Sequence, residues 1–287
     1  MSLVNPLSFI EKAQKKGVAI AAFNIHNMET AQGVLEGAAE ENAPVMIATT
    51  PGTLRHAGVE TIAAIVKTAA KDYDIPVALH LDHCPSYEII VKAIRSGYTS
   101  VMIDTAELPY EENVAMVQDV VKVGRAAGVQ VEGELGRIGG TEDDITVDER
   151  EATLTVPDEA LDFVEKTGID TLAVAIGTAH GVYKGEPKLD FARLSAIEEL
   201  VDLPLVLHGA SGVPDVSVKK AINRGISKVN IATELKIPLA QAVQDFFAKN
   251  PQGNDPRKYL GAGRDALKQV VKDKIRLCGC NGLASQL

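Results

Sequence analysis

The sequence predicts a single α/β domain over residues 1–287, folded as a closed parallel (β/α)8 barrel with extra helices at its N- and C-terminal ends. Three observations predict it. Apolar runs rich in Val, Ile and Ala occur eight times, roughly 25 to 30 residues apart, each followed by a stretch of helical period. The runs are almost continuously apolar, as parallel strands are when helices cover the sheet. Glycine and proline fall at the junctions. Gly17, Gly97, Gly128, Gly168 and Gly225 each stand between a helical stretch and the next run, and Pro44, Pro76 and Pro204 open runs, where a missing amide costs little. Eight repeats of strand then helix suit closure. An open doubly wound sheet is the alternative topology, but no Gly-x-Gly-x-x-Gly fingerprint follows the first run.

Taken in order, a short lead-in helix near 6–16 precedes the first run, 18–25, and a helix over 28–42 leads to the second, 44–49. A helix over 57–72 leads to the third run, 76–82, which is apolar through Pro76-Val77-Ala78-Leu79 and closes on His80-Leu81-Asp82-His83-Cys84. Pro85-Ser86 then opens a helix over 86–96. Runs 100–104 and 129–134 flank a helix over 111–126. Runs 171–177, 204–208 and 228–232 alternate with helices over 157–167, 190–200, 214–224 and 234–248, and a last helix lies near 256–276. The segment 136–155, with Gly139-Gly140-Thr141-Glu142-Asp143-Asp144, has no apolar period; so long a loop in a barrel points to function or mobility. A second such segment, 249–258, contains Asp255-Pro256-Arg257.

Composition narrows the function classes. With 29 basic against 39 acidic side chains, the net charge of −10 argues against broad attraction to nucleic acid or an anionic membrane, and an anionic ligand would need a locally positive site. The N-terminus lacks the pattern of a signal peptide, and no apolar run approaches the ~20 residues that span a bilayer. A cytoplasmic protein is expected. Cys84, Cys278 and Cys280 form no even framework and no C-x-x-C pair, so reduced thiols are expected.

Active sites of such barrels gather at the carboxyl ends of the strands. Those ends read Asn24, Thr49, Asp82 with His83, Asp104, Glu132 with Glu134, His180, His208 and Asn230. Histidines from three strands, His83, His180 and His208, could supply three nitrogen ligands and leave a position open, the pattern of a catalytic zinc. Asp104 and Glu134 could orient those ligands or hold the ion themselves, or form an interior hydrogen-bond layer. His80 reads as an interior residue of the third strand, and His26 and His56 as loop or helix-start residues. Gly209-Ala210-Ser211-Gly212 and Asn230-Ile231-Ala232-Thr233 could converge their backbone amides on one phosphate, or serve tight turns only. No strand end carries a lysine for an imine: Lys228 enters the eighth strand from the opposite face and Lys184 lies in a loop.

These motifs resemble the class II, zinc-dependent ketose-bisphosphate aldolases over essentially the whole chain. The resemblance rests on Ala22-Phe23-Asn24, His80-Leu81-Asp82-His83, Ser100-Val101-Met102-Ile103-Asp104, Glu134-Leu135-Gly136, Gly139-Gly140-Thr141-Glu142-Asp143, Gly177-Thr178-Ala179-His180-Gly181, Leu207-His208-Gly209-Ala210-Ser211-Gly212, Asn230-Ile231-Ala232-Thr233-Glu234 and Asp255-Pro256-Arg257. The chain is most similar to the tagatose-1,6-bisphosphate branch, with the fructose-1,6-bisphosphate enzymes as close relatives.

The resemblance implies a TIM barrel that reversibly cleaves D-tagatose 1,6-bisphosphate to dihydroxyacetone phosphate and D-glyceraldehyde 3-phosphate through a zinc-stabilised enediolate, with the fructose epimer as the alternative substrate. It implies His83, His180 and His208 as Zn2+ ligands, Asp82 as the acid at the aldehyde oxygen, Glu142 as the base, and Asp104 and Glu134 as acids of a second, more buried metal position. Gly181, Gly209, Ser211, Asn230 and Thr233 match the phosphate cradle, beside which some members hold Na+ or K+. Arg257 matches an arginine lent by a neighbouring subunit to the second phosphate, so a dimer or tetramer is implied; a separate stabilising subunit accompanies some members of the branch. Thr141 departs from a Gly-Gly-Glu-Glu-Asp version of the loop, and Gly133 is expected to loosen the fifth strand. A metal-dependent hydrolase or a non-catalytic partner-binding barrel are the competing classes.

Overall fold

Strand β1 (Ile20–Asn24) lies in parallel register with β11 (Ile226–Ile231), from Ile20 opposite Lys228 to Phe23 opposite Ile231, and this pairing closes the barrel. The computed structural model describes residues 3–142, 145–148, 152–181, 183 and 185–287, with the side chains of Glu142, Ile145 and Thr146 outside that description. Between the closing strands run β2 (Val45–Thr49), β3 (Val77–Cys84), β4 (Ser100–Ile103), β5 (Gln130–Leu135), β8 (Thr171–Val174) and β10 (Leu205–Leu207), each hydrogen-bonded to its neighbours in chain order. The chain is therefore the eight-stranded parallel α/β barrel that its repeats predict.

Helices α1 (Leu7–Lys16), α2 (Met28–Glu40), α3 (Pro51–Ala57), α4 (Val59–Ala69), α5 (Tyr87–Ser96), α6 (Tyr110–Ala127), α7 (Pro157–Thr167), α8 (Phe191–Leu200), α9 (Asp215–Ile222), α10 (Thr233–Lys249) and α11 (Pro256–Cys278) cover the barrel. Their local signals are ordinary ones. Asn27 and Thr30 form a reciprocal capping box at the start of α2, Ser86 caps α5, and Gly17 and Gly128 close α1 and α6 in the left-handed region. The helix expected over 57–72 is preceded by a separate one. Pro51 starts α3, Thr50 caps it at Thr53, and Gly58 at φ +80° turns the chain into α4. His56, expected in a loop or at a helix start, therefore sits in the last turn of α3.

Strand alternation sorts the side chains into two sets. Most of the main apolar core lies outside the barrel, between strands and helices, whereas Met102, Ala173 and Val206 form a separate small apolar cluster. Register places Ala22, Met46, Ala78, His80, Ser100, Gln130, Glu132, Thr171, Lys228 and Asn230 on the inward face with them. Lys228 corrects the expectation: β11 begins two residues earlier than the apolar run suggested, so Lys228 is its third residue and is fully buried inside the barrel. Gly133 does not loosen β5, which pairs on both sides; its bare Cα lets Phe163 and Ile169 pack against the strand.

Part of the segment expected as a long loop forms strands. Strands β6 (Gly139–Glu142) and β7 (Ile145–Val147) form a hairpin, and β6 also pairs in parallel with β9 (Ala179–His180), so Gly140 lies beside His180. This small sheet stands over the carboxyl end of the barrel because its strands follow β5 and β8 directly.

Helix α11 returns across α2 in close contact. Gly33 and Gly37 face Leu267 and Val271, and Glu36, Glu40 and Glu41 on the α2 side pair with Arg264, Lys268, Lys272 and Arg276 at 2.6 to 3.6 Å. A Cβ at Gly37 would come within 2.9 Å of Val271. Gly37→Leu is expected to destabilise the protein by about 1–3 kcal/mol through overpacking, read as a lowered Tm in thermal denaturation. An unchanged Tm would show that this seam is loose.

Candidate metal centre and active site

The carboxyl end of the barrel brings three imidazoles together, although the barrel strand expected over 171–177 stops at Val174 and His180 follows it in the small sheet rather than at the strand's own end. His83 comes from β3, His180 from β9 and His208 from the residue after β10. Ring centroids are 4.8 Å apart for His83 and His180, 4.5 Å for His83 and His208, and 6.2 Å for His180 and His208. One ligand atom from each lies within 4.8 Å of the others, and His83, Asp104 and Glu134 form a second such group. The separation of residues 83, 180 and 208 in the chain is erased by barrel closure.

Backbone irregularity puts His83 there. Register shifts by one residue between Leu81 and Cys84 against β4, and His83 takes φ +45°, a conformation uncommon outside glycine. In a regular strand Asp82 and His83 would face opposite sides of the sheet. The bulge lets both neighbours present polar groups to the barrel mouth. The carboxylate of Asp82 accepts from Asn24 Nδ2 at 2.9 Å and Asn230 Nδ2 at 3.0 Å, so amides from β1 and β11 hold one oxygen each.

Hydrogen bonds assign the imidazole nitrogens. His83 Nδ1 is 2.7 Å from Asp104 Oδ2 and 3.9 Å from Glu134 Oε2, which leaves Nε2 as its ligand atom for the three-histidine group. His208 Nε2 is 3.0 Å from Glu132 Oε1, and its Nδ1 lies 3.3 Å from Asn230 Nδ2, so Nδ1 is unprotonated; its one lone pair accepts from Asn230 here and would be given to a metal in place of that contact. Burial and the neighbouring His83 hold His180 well below the usual imidazole range and His208 below it, which keeps both neutral as ligands must be. Burial opposes a charge on His83, but Asp82, Asp104 and Glu134 outweigh it and raise its pKa well above the usual value; the same carboxylates would attract a metal cation, which must displace that proton to use His83 as a ligand. Burial also opposes ionisation of Asp82, and is overcome by His83, His80 and His208, which hold its carboxyl well below the usual range.

Glu134 shows what the cluster lacks. Burial and the charges of Asp104 and Glu132 push its pKa well up, and its Oε2 is buried with no hydrogen-bond partner among the described residues. Three nitrogens from three strands, with carboxylates behind two of them, suit a four-coordinate zinc with one position open to a ligand. The donor set fits a divalent metal.

The loops expected to bind phosphate are tied to one another. Ser211 Oγ lies 3.4 Å from Ala232 N and 3.5 Å from Glu234 N, joining the loop after β10 to the start of α10, and Gly212 N donates to Glu234 Oε1 at 3.1 Å. A Cβ on Gly209 would lie 2.6 Å from Ala179 O, so the loop reaches β9 only with glycine there. Tyr183, which no sequence pattern singled out, accepts from Ala179 N and donates to Gly209 O, both at 2.7 Å, and so pins the two loops together. Of the residues expected to bind phosphate, these contacts join Gly209 to Tyr183 and Ser211 to Ala232, which stands immediately before Thr233 at the start of α10.

Three expectations fare differently. Thr49 ends β2, but register with β1 and β3 puts Ala48 inward and Thr49 outward, where its hydroxyl is bonded to Tyr98 Oη at 2.8 Å. The side chain of Ile231 likewise faces the outer core, leaving only its backbone for a ligand. Arg257 lies in the first turn of α11, 89% exposed and paired with Asp255 at 3.0 Å, and does not line the pocket beside the imidazoles. That pocket is lined by His83, Asp104, Glu134 and His180, together with Arg137 and Glu107, a pair 3.7 Å apart that sequence reasoning passed over. Glu142 ends β6, and its side chain lies outside the described residues, as do Asp143, Asp144 and Lys184.

The chain is similar to known proteins over nearly its whole length. The family described as fructose-bisphosphate aldolase class-II matches residues 4–283. Among solved structures, the YdjI aldolase of Escherichia coli K12 is 34% identical, with 98% of this chain and 99% of that one covered and a TM-score of 0.85. A candidate fructose-1,6-bisphosphate aldolase from Coccidioides immitis is 29% identical over 99% of both chains, with a TM-score of 0.91. The fructose-bisphosphate aldolase of Campylobacter jejuni is 24% identical over 98% of this chain and 97% of its own, and shares the fold at a TM-score of 0.81.

His83→Ala is expected to lose stoichiometric divalent metal, measured by atomic emission on the purified protein, with the far-ultraviolet circular dichroism of the barrel retained. Retention of one metal per chain would remove His83 from the ligand set.

Proposed function

The chain belongs to the class-II fructose-bisphosphate aldolase family, and from that premise we propose that it reversibly cleaves D-tagatose 1,6-bisphosphate to dihydroxyacetone phosphate and D-glyceraldehyde 3-phosphate. The observation that carries the chemistry is the convergence of His83, His180 and His208 beside an ionised, doubly held Asp82. The enzyme is an aldolase by family; the tagatose epimer rests on the motifs 175–181 and 208–212, and the fructose epimer is the alternative.

His83 Nε2, His180 and His208 Nδ1 would hold Zn2+, which when bound supplies a Lewis acid for a ketone oxygen and for the negative charge that develops on it. The protein's own groups supply the proton transfers. In cleavage, the Asp82 carboxylate takes the proton of the C4 hydroxyl as the C3–C4 bond breaks, with the electron pair left on the dihydroxyacetone phosphate fragment. Glu142 returns a proton to that carbon; in condensation it removes it, and Asp82 protonates the aldehyde oxygen. Chain position supports Glu142: β6 runs in register with β9, and Glu142 follows two residues after Gly140, the neighbour of His180. Amides of Gly181, Gly209, Ala210, Ser211 and Thr233 would bind one phosphate where the Asn230-Ile231-Ala232 segment leads into α10, with Na+ or K+ beside it, while Asn24 and Asn230 keep Asp82 in place.

The second phosphate would be met by Arg257 of another copy, so the working form is a homo-oligomer. Support comes from the exposure of Arg257 on the outer helical pair and from Ile237 and Phe247 exposed on α10. The three buried free thiols suit a cytoplasmic setting, and no described helix is long and apolar enough to cross a membrane.

Condensation of the two triose phosphates, followed by NMR assignment of C4, is expected to give mainly the tagatose configuration; predominantly fructose 1,6-bisphosphate would select the alternative. Glu142→Ala is expected to keep its zinc and lose exchange of the dihydroxyacetone phosphate α-proton. Normal exchange in that variant would transfer the base role elsewhere.

A further inference from the structure

Below the imidazoles, the barrel interior contains a complete ion pair. Lys228 and Glu132 are both fully buried, and each has every polar valence occupied. The ammonium donates to Glu132 Oε1 at 2.9 Å, to Glu132 Oε2 at 2.8 Å and to His80 Nε2 at 3.3 Å. Each carboxylate oxygen has one further donor, His208 Nε2 at 3.0 Å on Oε1 and Thr171 Oγ1 at 3.0 Å on Oε2.

The third ammonium proton starts a chain that ends on the same carboxylate. His80 Nδ1 donates to Ser100 Oγ at 2.5 Å, Ser100 donates to Gln130 Oε1, Gln130 Nε2 donates to Thr171 Oγ1 at 2.9 Å, and Thr171 donates to Glu132. The ring draws on β11, β3, β4, β5 and β8, and every donor in it points away from Lys228 and toward Glu132. It leaves one outward connection from the carboxylate, the bond to His208.

Stability alone is a weak reason for such a pair, since well-packed apolar residues often replace buried ion pairs without loss. Orientation is a stronger one. A neutral imidazole carries one N–H, and an acceptor fixed at Nε2 places it there and leaves Nδ1 unprotonated, on a ring whose centroid is 4.5 Å from that of His83 and 6.2 Å from that of His180. Asn230 Nδ2, 3.3 Å from Nδ1, requires the same tautomer from the other side of the ring.

We propose that Lys228 is a positioning residue for the metal centre: through Glu132 it fixes the tautomer and orientation in which His208 presents Nδ1. The inference rests on the reading of His208 as a zinc ligand. Without the ammonium, Glu132 becomes a buried charge with nothing to balance it, relieved only when the carboxylate swings away or water enters, and His208 loses its fixed acceptor. A glutamine at 132 needs no counter-ion and still offers an amide oxygen to His208, so it repairs the loss of Lys228 if positioning is the role. It cannot repair a loss of packing or of lysine chemistry.

The test compares full-length wild type, Lys228→Met and the double variant Lys228→Met/Glu132→Gln after chelator stripping. Zinc affinity is measured by competition with a chelating dye, and the imidazole 15N shifts of the metal-free proteins report the His208 tautomer. Lys228→Met is expected to bind zinc ~10- to 100-fold more weakly and to lose the Nε2–H signature, and the double variant to recover most of both. Wild-type affinity and tautomer in Lys228→Met, or no recovery in the double variant, would overturn the proposal. Should Lys228→Met not fold, the double variant decides: a folded, zinc-binding protein supports the proposal, and an unfolded or zinc-free one overturns it. Absence of zinc binding by the wild type overturns the metal reading itself, whatever the variants do.

Discussion

Closure of β1 onto β11 at a fixed register is the constraint from which the site follows. It sets which side of every strand faces inward, and it brings Asn24 and Asn230 to the same carboxylate although they stand at opposite ends of the strand sequence. A slip of one residue along that seam would exchange the inward and outward sets of the closing strands. Asp82 would lose a donor, and Lys228 would leave the interior.

The inside of the barrel is consequently more polar than its outside. Most of the apolar packing lies between strands and helices, while the interior holds Ala22, Met46 and Ala78 from the main core and a small cluster of Met102, Ala173 and Val206 among hydrogen-bonded groups. Such an arrangement is stable only when the polar groups are satisfied, and the ring through Lys228, His80, Ser100, Gln130, Thr171 and Glu132 satisfies them. Above this ring the pattern changes. Glu134 has a buried oxygen with no hydrogen-bond partner among the described residues, and His83 adopts a backbone conformation that few residues other than glycine take. Incomplete satisfaction and local strain coincide where a metal and a substrate would supply the missing contacts.

The barrel was legible in the sequence because its signals are local. Period, glycine after helices and proline before strands each operate over a few residues, and they placed all eight barrel strands within a few residues of their observed bounds. The three histidines were legible as a set because each closes an apolar run. What escaped depends on facing or register. Thr49 and Ala48 look equivalent in sequence, and only pairing with β1 and β3 shows that Ala48 points inward. The bulge at His83 carries no glycine or proline to announce it. Lys228 was misplaced because a charged residue seemed to begin a strand that starts two residues earlier; its spacing of two from Asn230 was the available clue. The β6–β7–β9 sheet joins segments too short for any periodicity.

Aldol chemistry at a metal held by His83, His180 and His208 is tested most directly by incubating dihydroxyacetone phosphate with the wild-type enzyme in D2O. The enzyme is stripped with a chelator and reloaded with Zn2+, and the C3 protons are followed by NMR. Exchange of one of the two C3 protons, lost on stripping and restored by zinc, is the predicted result. A zinc-loaded enzyme that exchanges no proton, or that releases inorganic phosphate instead, would contradict the aldolase reading of this site.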